Sequence, residues 1–298
     1  MEQNKNAGDS NHITREYFDS LLIEMRHIDA VSPCTKLTLF GETFSTPIMT
    51  AAFSHLSQFG VHPDGMVEMA KGAKAANAVN FAGMGSDEEL TRMTATGAKT
   101  IKIIKPEVDN DIIFKNIAHA EACGCLAVGI DVDHAYNNRG EQDVIDGMPM
   151  TGKSLAEIKQ FVSSTKLPFV IKGVLSVQDA MKCMEAGVQG IVVSHHSGLM
   201  QYATPPLMML PQIAKAVNGK MQIFVDCGVN SAYDAFKAIA LGANAVSLGR
   251  IILPALKEGG AKGIEDAFNN MTAELAGIMS KTCAPNLAAI ESSLIHKR

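Results

Sequence analysis

Residues 168–194 read PFVIKGVLSVQDAMKCMEAGVQGIVVS and contain one complete strand–helix–strand unit. The apolar run at 168–172 predicts a strand, and the run at 190–194 predicts the next one. Between them, 176–187 predicts a helix that starts at a serine and ends at a glycine. Continuous apolar strands that alternate with helices are typical of a parallel sheet covered by helices. This stretch therefore predicts an α/β protein.

The same unit recurs along the chain. Six further apolar runs predict strands at 48–53, 79–83, 100–104, 126–131, 222–226 and 245–248, and helical patterns fill the gaps. Eight such strands favour a closed (β/α)8 TIM barrel, which takes about 250 residues. The alternative is an open, doubly wound sheet, but no GxGxxG motif follows the first strand.

The N-terminal region differs from the rest of the chain in its pattern. The first dozen residues are polar and predict a disordered tail, and 13–29 shows apolar residues at helical spacing. We therefore expect an N-terminal tail and helix at 1–30, followed by one barrel domain at 31–298.

Composition excludes several classes of protein. Only 19% of the 298 residues are charged and the net charge is −5, so no basic surface for nucleic acid is expected. No run of about 18 apolar residues predicts a membrane span, and no secretory signal is visible. Six cysteines in so long a chain do not suggest a disulfide framework, so we expect a cytoplasmic protein.

Polar residues follow the apolar runs, where a TIM barrel places its active site. Asp226 and Gly228 follow the seventh predicted strand, and Gly249 and Arg250 follow the eighth. The loops after these two strands are the usual phosphate site of the fold, where glycines admit a phosphate to backbone N–H groups and an arginine adds charge. The sequence therefore predicts a phosphate-binding site, although turn glycines alone would give a similar pattern.

Candidate acid–base residues follow the middle strands. His196 follows the sixth strand and can accept a proton near neutral pH, and Asp133 can stabilise the imidazolium that results. The adjacent His195 is as compatible with a structural role, since successive side chains on a strand point to opposite faces. Lys172 ends the fifth strand and can neutralise an anionic ring. Arg139 is a candidate for binding a substrate anion, or simply a solvated charge in its loop.

The segments IKGVLSVQDAMKCMEAGVQGIVVSHHSG and IFVDCGVNSAYDAFKAIALGANAVSLGR resemble signatures of the FMN-dependent 2-hydroxy-acid oxidases and dehydrogenases, a family that includes lactate and glycolate oxidase. The resemblance implies a TIM barrel with FMN as its cofactor and no metal. It implies His196 as the base and Asp133 as its partner. It further implies cofactor-binding roles for Ala51, Ala52, Lys172, Ser194, Asp226, Gly228, Gly249 and Arg250. Arg139 corresponds to an arginine of the substrate pocket.

The chain departs from this family where the substrate acid binds. Leu199 stands in the substrate pocket at the position of an arginine that binds the substrate carboxylate, and Asn230 replaces a phosphate-binding arginine. The family's N-terminal helix with its tyrosine, and a second pocket tyrosine after the third strand, have no clear match. Lys105 and Arg139 are candidate replacements for the lost contacts.

The sequence thus predicts an FMN-dependent oxidoreductase that removes a hydride from a small hydroxylated molecule in an altered pocket. Two alternatives remain open. One is a non-redox FMN barrel such as an isomerase, for which no basic diphosphate cluster is evident. The other is a flavin-binding relative without turnover. The resemblance also implies a homo-oligomer, with a tetramer as the common state.

Overall fold

The computed structural model describes residues 7–57 and 60–298. The helices are Ser10–Asp19 (α1), Gly65–Ala75 (α2), Asp87–Ala95 (α3), Asn110–Ala122 (α4), Leu155–Ser163 (α5), Val177–Glu185 (α6), Pro206–Val217 (α7), Ala232–Ala240 (α8) and Leu253–Lys281 (α9). The strands are Leu21–Ile23 (β1), Leu37–Leu39 (β2), Glu42–Phe44 (β3), Ile48–Thr50 (β4), Asn80–Ala82 (β5), Thr100–Ile104 (β6), Ala127–Asp131 (β7), Val144–Ile145 (β8), Met148–Pro149 (β9), Phe169–Val174 (β10), Gly190–Val193 (β11), Gln222–Val225 (β12), Ala245–Leu248 (β13) and Ile295–Lys297 (β14).

Eight strands form one sheet in the order β4-β13-β12-β11-β10-β7-β6-β5, with parallel pairing throughout. The two strands at the ends of this order meet. The Thr50 N–H donates to the Val79 carbonyl at 3.2 Å, and the Phe81 N–H donates to the Thr50 hydroxyl at 2.7 Å. The sheet therefore curves into a nearly closed barrel surrounded by helices, and the predicted TIM-barrel fold is confirmed.

The barrel strands are buried on both faces. Inward side chains fill the lumen, where the Phe81 and Phe224 rings meet edge to face with centroids 6.1 Å apart. Outward side chains such as Ile104 and Ile130 pack in the larger core, together with apolar residues of the surrounding helices. Because neither face meets water, the strands appear in the sequence as continuous apolar runs rather than alternating ones.

Serine caps start four of the helices that follow barrel strands. Their hydroxyls accept bonds from backbone N–H groups three residues on, in the pairs Ser86–Glu89, Ser154–Glu157, Ser176–Asp179 and Ser231–Asp234. Each cap satisfies an N–H that the first helical turn leaves without an internal partner. The caps fix where each loop ends, and so they help to shape the mouth of the barrel.

The N-terminal segment differs from the helix predicted at 13–29. The structure has α1 at Ser10–Asp19, and then β1, which pairs antiparallel with β14. Leu21 is buried and Ile23 packs on apolar residues near α9, so pairing with the distant C-terminus overrides local helical periodicity. The predicted disordered tail is wrong for Ser10–His12, which begin α1, while residues 1–6 lie outside the described residues.

Two other features complete the described chain. The segment after β7 carries the small β8–β9 hairpin, in which Val144 pairs with Pro149. α9 is kinked at Gly260, whose φ of 52° is non-helical. Among residues 7–57 and 60–298, no helix combines the length and the apolar character needed to cross a bilayer.

Candidate active site

A cavity of about 430 Å³ opens at the carboxyl ends of the barrel strands. Among the residues predicted for the site, those that line it are Ala51, Ala52, Lys172, His196, Asp226, Gly228, Gly249 and Arg250. Small-molecule sites measure roughly 300–1,000 Å³, so the space suits a cofactor-sized ligand. The fold therefore brings the predicted phosphate loops, the lysine and the histidine into one cavity.

His196 is the third residue after β11, and its backbone is in the left-handed region with a φ of 50°. Its backbone N–H donates to the Ser194 hydroxyl at 3.0 Å, which holds this uncommon conformation. Its Nδ1 lies 2.7 Å from Asp133 Oδ1 and 3.0 Å from Lys172 Nζ. The predicted pairing of His196 with Asp133 is therefore present in the structure.

The charges around His196 control its protonation. Burial works against the charged imidazolium, but hydrogen bonds to Asp131 and Asp133 raise the pKa of His196 overall. Burial also raises the pKa of Asp133 to about 6. Burial likewise opposes the charge on Lys172, yet the carboxylates of Asp131 and Asp226 raise its pKa. The cluster thus makes His196 a stronger base than a free imidazole and keeps Lys172 charged.

Asp131 is a site residue that the sequence did not single out. It ends β7, and its Oδ2 lies 2.9 Å from Lys105 Nζ, 3.7 Å from Lys172 Nζ and 3.4 Å from His196 Nδ1. Burial acts to raise the pKa of Asp131, but the positive charge of Lys172 holds it well below the usual value. The only signal in the sequence was its place at a strand end, which it shares with Asp133.

The loop after β7 adds a second histidine to the cluster. His134 Nε2 lies 3.2 Å from His196 Nε2, and His134 Nδ1 lies 2.9 Å from Asp143 Oδ2. Nothing in the sequence indicated this contact, because it joins two loops 62 residues apart in the chain.

The glycine positions at the far end of the cavity have distinct geometry. Gly228 has a φ of 91°, and a Cβ there would lie 2.8 Å from Thr14 Cγ2, so only glycine fits without strain. A Cβ on Gly249 would meet nothing within 4 Å, which leaves open space beside its backbone. Arg250 is exposed at the cavity wall, and no carboxylate among residues 7–57 and 60–298 pairs with it. An arginine without an internal partner beside open backbone is suited to bind a phosphate.

Helix α1 lies over this end of the cavity, although the sequence suggested no counterpart of the family's N-terminal helix. Arg15 binds both oxygens of Asp234 at 3.0 and 2.9 Å and donates to the Gly228 carbonyl at 3.1 Å. His195 Nε2 lies 2.7 Å from the Thr14 hydroxyl. His195 therefore anchors α1 to the β11 loop, which agrees with the structural alternative for this residue.

The remaining predicted residues lie outside the cavity lining. Ser194 is buried and bonds to the backbone of His196. Asp133 contacts the cavity through His196. Arg139 is exposed in its loop, where its N–H donates to the Asn137 side chain at 2.8 Å. Leu199 is half-buried, with its N–H on the His195 carbonyl at 3.2 Å. The structure thus does not bring Arg139 or Leu199 to the His196 cavity.

Comparisons with known proteins agree with this arrangement. A family model described as FMN-dependent dehydrogenase matches residues 1–155 and 149–297. An L-lactate oxidase of Lentilactobacillus hilgardii is 27% identical over 88% of this chain and 79% of its own length. A peroxisomal (S)-2-hydroxyacid oxidase of Arabidopsis thaliana is 28% identical over 90% of this chain and 81% of its own length.

Solved structures give the same result. A crystal structure of mandelate oxidase with benzoyl-formic acid superposes with a TM-score of 0.88 and 26% identity, and covers 98% of this chain and 92% of that chain. Another mandelate oxidase structure carries an FMN adduct, with a TM-score of 0.88 and 27% identity. These relatives are oxidases, so the comparisons do not favour the isomerase alternative.

Proposed function

Because the chain belongs to the FMN-dependent dehydrogenase family and is an FMN-dependent oxidoreductase, we propose that it oxidises a small 2-hydroxy acid with His196 as the base. The observation that carries this proposal is the contact of His196 with both Asp133 and Lys172 at the wall of one cavity. A base, its carboxylate partner and a fixed cation are the groups that hydride removal from an alcohol requires.

The cavity fits FMN in its size and in its donor groups. Arg250 and the backbone at Gly228 and Gly249 would hold the phosphate, because the guanidinium pairs with no carboxylate in the described part of the chain and the space beside Gly249 is open. Lys172 would lie at the ring end, where a buried cation stabilises negative charge. FMN, when bound, supplies the hydride acceptor.

The side chains around His196 would accept the substrate proton and stabilise the charge that results. His196 would take the hydroxyl proton as the hydride leaves carbon, and Asp133 at 2.7 Å would stabilise the imidazolium. Lys172 remains charged throughout, so it favours negative charge on the cofactor rather than exchanging a proton. This division of roles keeps acid–base work on the histidine.

The substrate end of the site supports a changed specificity. Leu199 stands where the resemblance implies an arginine, and Arg139 is exposed away from His196. Lys105 lines the neighbouring cavity, but its Nζ lies 2.9 Å from Asp131 Oδ2, which is itself 3.4 Å from His196 Nδ1. We propose that Lys105 supplies the cation for the acid group, which suits a small substrate held close to β6 and β7.

Anaerobic mixing with a panel of 2-hydroxy acids tests the proposed function. We expect at least one small 2-hydroxy acid to bleach the visible flavin band, while the matching 2-oxo acid and the unsubstituted acid do not. Failure of every hydroxy acid and simple alcohol to bleach the FMN-loaded protein would contradict the proposal. Bleaching by alcohols that lack an acid group would support an oxidoreductase but contradict the proposed acid substrate.

The phosphate role of Arg250 gives a separate prediction. Arg250→Met removes one charge-assisted contact, worth roughly 1.5–3 kcal/mol, so FMN affinity should fall by about 10- to 100-fold. Riboflavin has no phosphate, so its affinity should be unchanged. Fluorescence titration of the apoprotein with each flavin measures both values. Arg26→Met, which removes an exposed arginine paired with Glu24, is the control.

We also propose that the protein is a homo-oligomer, a tetramer by family resemblance, and that it works in the cytoplasm. Exposed apolar side chains in the N-terminal segment support self-association, since Leu22, Met25 and Ile28 are 51%, 67% and 88% exposed. Free cysteines throughout the described chain support a reducing compartment. Light scattering coupled to gel filtration measures the assembly, and a monomer at micromolar concentration would contradict it.

A further inference from the structure

His134 holds a position that the proposed oxidation does not use. Its Nε2 lies 3.2 Å from His196 Nε2, and the two rings meet edge to face with centroids 4.2 Å apart. His134 does not line the cavity that contains His196. The second ring therefore contacts the base without lining that cavity.

Asp143 continues this contact toward water. Its Oδ2 lies 2.9 Å from His134 Nδ1, and its side chain is 24% exposed. The His134 side chain is 18% exposed, while those of His196 and Asp133 are 25% and 14% exposed. Asp133, His196, His134 and Asp143 thus form a continuous series of contacts of 3.2 Å or less, which ends at a carboxylate, that of Asp143, more exposed than the one at which it begins.

The hydrogen-bond pattern fixes how a proton can lie along this series. A carboxylate on Nδ1 places the proton of neutral His134 on that nitrogen, so its Nε2 presents a lone pair to His196. His196 Nε2 must then supply the proton between the two rings. The structure is therefore consistent with His196 in its protonated form, ready to pass that proton to His134.

We propose that His134 and Asp143 form the route by which the proton taken up by His196 returns to water. This inference rests on the proposed function, which places one substrate proton on His196 at each oxidation. The exposed part of His196 faces the cavity, and bound cofactor and substrate would exclude water there. A separate exit on the other side of the base would then discharge it for the next cycle.

The proton transfer balances without any further reactant. His196 Nε2–H gives its proton to His134 Nε2, and the N–H bond at His134 Nδ1 breaks as its proton passes to Asp143. Asp143 then releases that proton to water, and His134 regains its starting tautomer by losing the Nε2 proton to water and taking one from water at Nδ1. One proton leaves for each pair of electrons that the substrate gives up.

The surrounding charges make His134 a carrier rather than a store for the proton. Lys105 acts on His134 from the residue after β6. Lys172 faces the base from β10, and Asp131 and Asp133 face it from β7 and the residues after β7. Burial, aided by Lys105, lowers the pKa of His134, whereas the pKa of His196 is raised. His134 therefore holds the proton only in transit between His196 and Asp143.

Stopped-flow mixing under anaerobic conditions tests the route with the FMN-loaded protein. A pH-indicator dye in weakly buffered solution reports proton release while flavin bleaching reports oxidation. In the unaltered protein the two signals should coincide. The glutamine of His134→Gln can form hydrogen bonds but cannot relay a proton. In this variant bleaching should persist, while the rate of proton release should be at least about tenfold lower than the rate of bleaching.

Two additional variants sharpen the result. Asp143→Asn keeps an oxygen for His134 Nδ1–H but cannot take its proton, so it should show the same lag. His296→Gln removes an exposed histidine whose Nε2 lies 2.8 Å from Glu24 Oε2, a similar pair far along the chain, and should show none. Imidazole at tens of millimolar should abolish the lag in His134→Gln. Coincident signals in His134→Gln, or a lag that imidazole does not shorten, would overturn the proposal.

A measurement without turnover separates this inference from the proposed function. In ¹⁵N-histidine NMR spectra of the FMN-loaded protein, His134 should keep its proton on Nδ1, and its titration should depend on His196. His196→Gln should shift the midpoint of His134, whereas His296→Gln should not. Independent titration of the two rings would overturn the relay even if oxidation is observed. Coupled rings in a protein that no hydroxy acid bleaches would instead reject the proposed oxidation alone.

Discussion

Replacing His196 with glutamine is expected to slow flavin reduction by the best hydroxy-acid substrate by about 10³-fold, since a positioned general base contributes roughly 10²- to 10⁴-fold. Glutamine retains a hydrogen-bonding side chain of similar size but has no basic nitrogen. The backbone N–H of residue 196 still reaches Ser194, so the loop should keep its conformation. Stopped-flow measurement of flavin bleaching under saturating substrate gives the rate directly.

FMN affinity separates a catalytic effect from a structural one. Because the proposed phosphate contacts lie at Arg250 and the glycines, the affinity of His196→Gln for FMN should be within a few-fold of that of the unaltered protein. His296→Gln should bleach at the normal rate. A His196→Gln protein that retains FMN and reduces it within about tenfold of the normal rate would show that another group removes the proton.

Replacing Lys172 with methionine is expected to destabilise the apoprotein by about 3 kcal/mol, the lower end of the cost of breaking a buried ion pair. Its Nζ lies 3.7 Å from Asp131 Oδ2 and 3.8 Å from Asp226 Oδ2, and its side chain is 6% exposed. Lys105 still pairs with Asp131 after the substitution, which limits the loss. Urea denaturation at pH 7.5 measures the free energy of unfolding.

The pH dependence of this effect has a definite sign. The folded pKa of Lys172 is raised, so its stabilising effect is fully present below the unfolded value near 10.5 and covers the range from pH 5 to 8. In Lys172→Met, Asp131 and Asp133 lose the positive charge that lowers their pKa, so their folded pKa values rise and protonation of these carboxylates reduces the destabilisation as pH falls toward 4. The stability difference between the two proteins should therefore shrink from pH 7.5 to pH 4.5.

Lys172→Arg provides the matched control, since it keeps the charge in a larger side chain. It should recover most of the stability at pH 7.5. Equal destabilisation by arginine and methionine would attribute the loss to packing rather than charge. A methionine variant as stable as the original protein at pH 7.5 would show that Asp226 and Asp131 do not need this cation.

Local sequence patterns were sufficient to predict the barrel, because within each strand–helix unit the apolar run and the helical pattern agree with the structure that forms. The strands predicted at 100–104 and 245–248 match the structure residue for residue. Glycines and charges at strand ends indicated the cavity, since a parallel barrel gathers all such ends at one face. The prediction failed at Leu21–Ile23, where a partner at the C-terminus decides the conformation.

The contacts among the loops could not be predicted from the sequence. His134 and Asp131 gave no stronger signal than their neighbours, and Arg15 gave none for a place beside Gly228. Arg139, by contrast, had the right chemistry in the right loop but points into solvent. Loop residues reach a site through turns that depend on the packing of distant elements. The sequence pattern of a loop therefore does not predict which way its side chains point.

The sequence by itself determined the (β/α)8 architecture and the set of strand ends that carry the phosphate loops, Lys172 and His196, because hydrophobic period and helix caps act locally. Tertiary structure alone decided that α1 covers the cavity, that Asp131 joins the charge cluster, and that His134 meets the base. These depend on side chains tens to hundreds of residues apart, whose charges affect one another only after folding excludes water from between them.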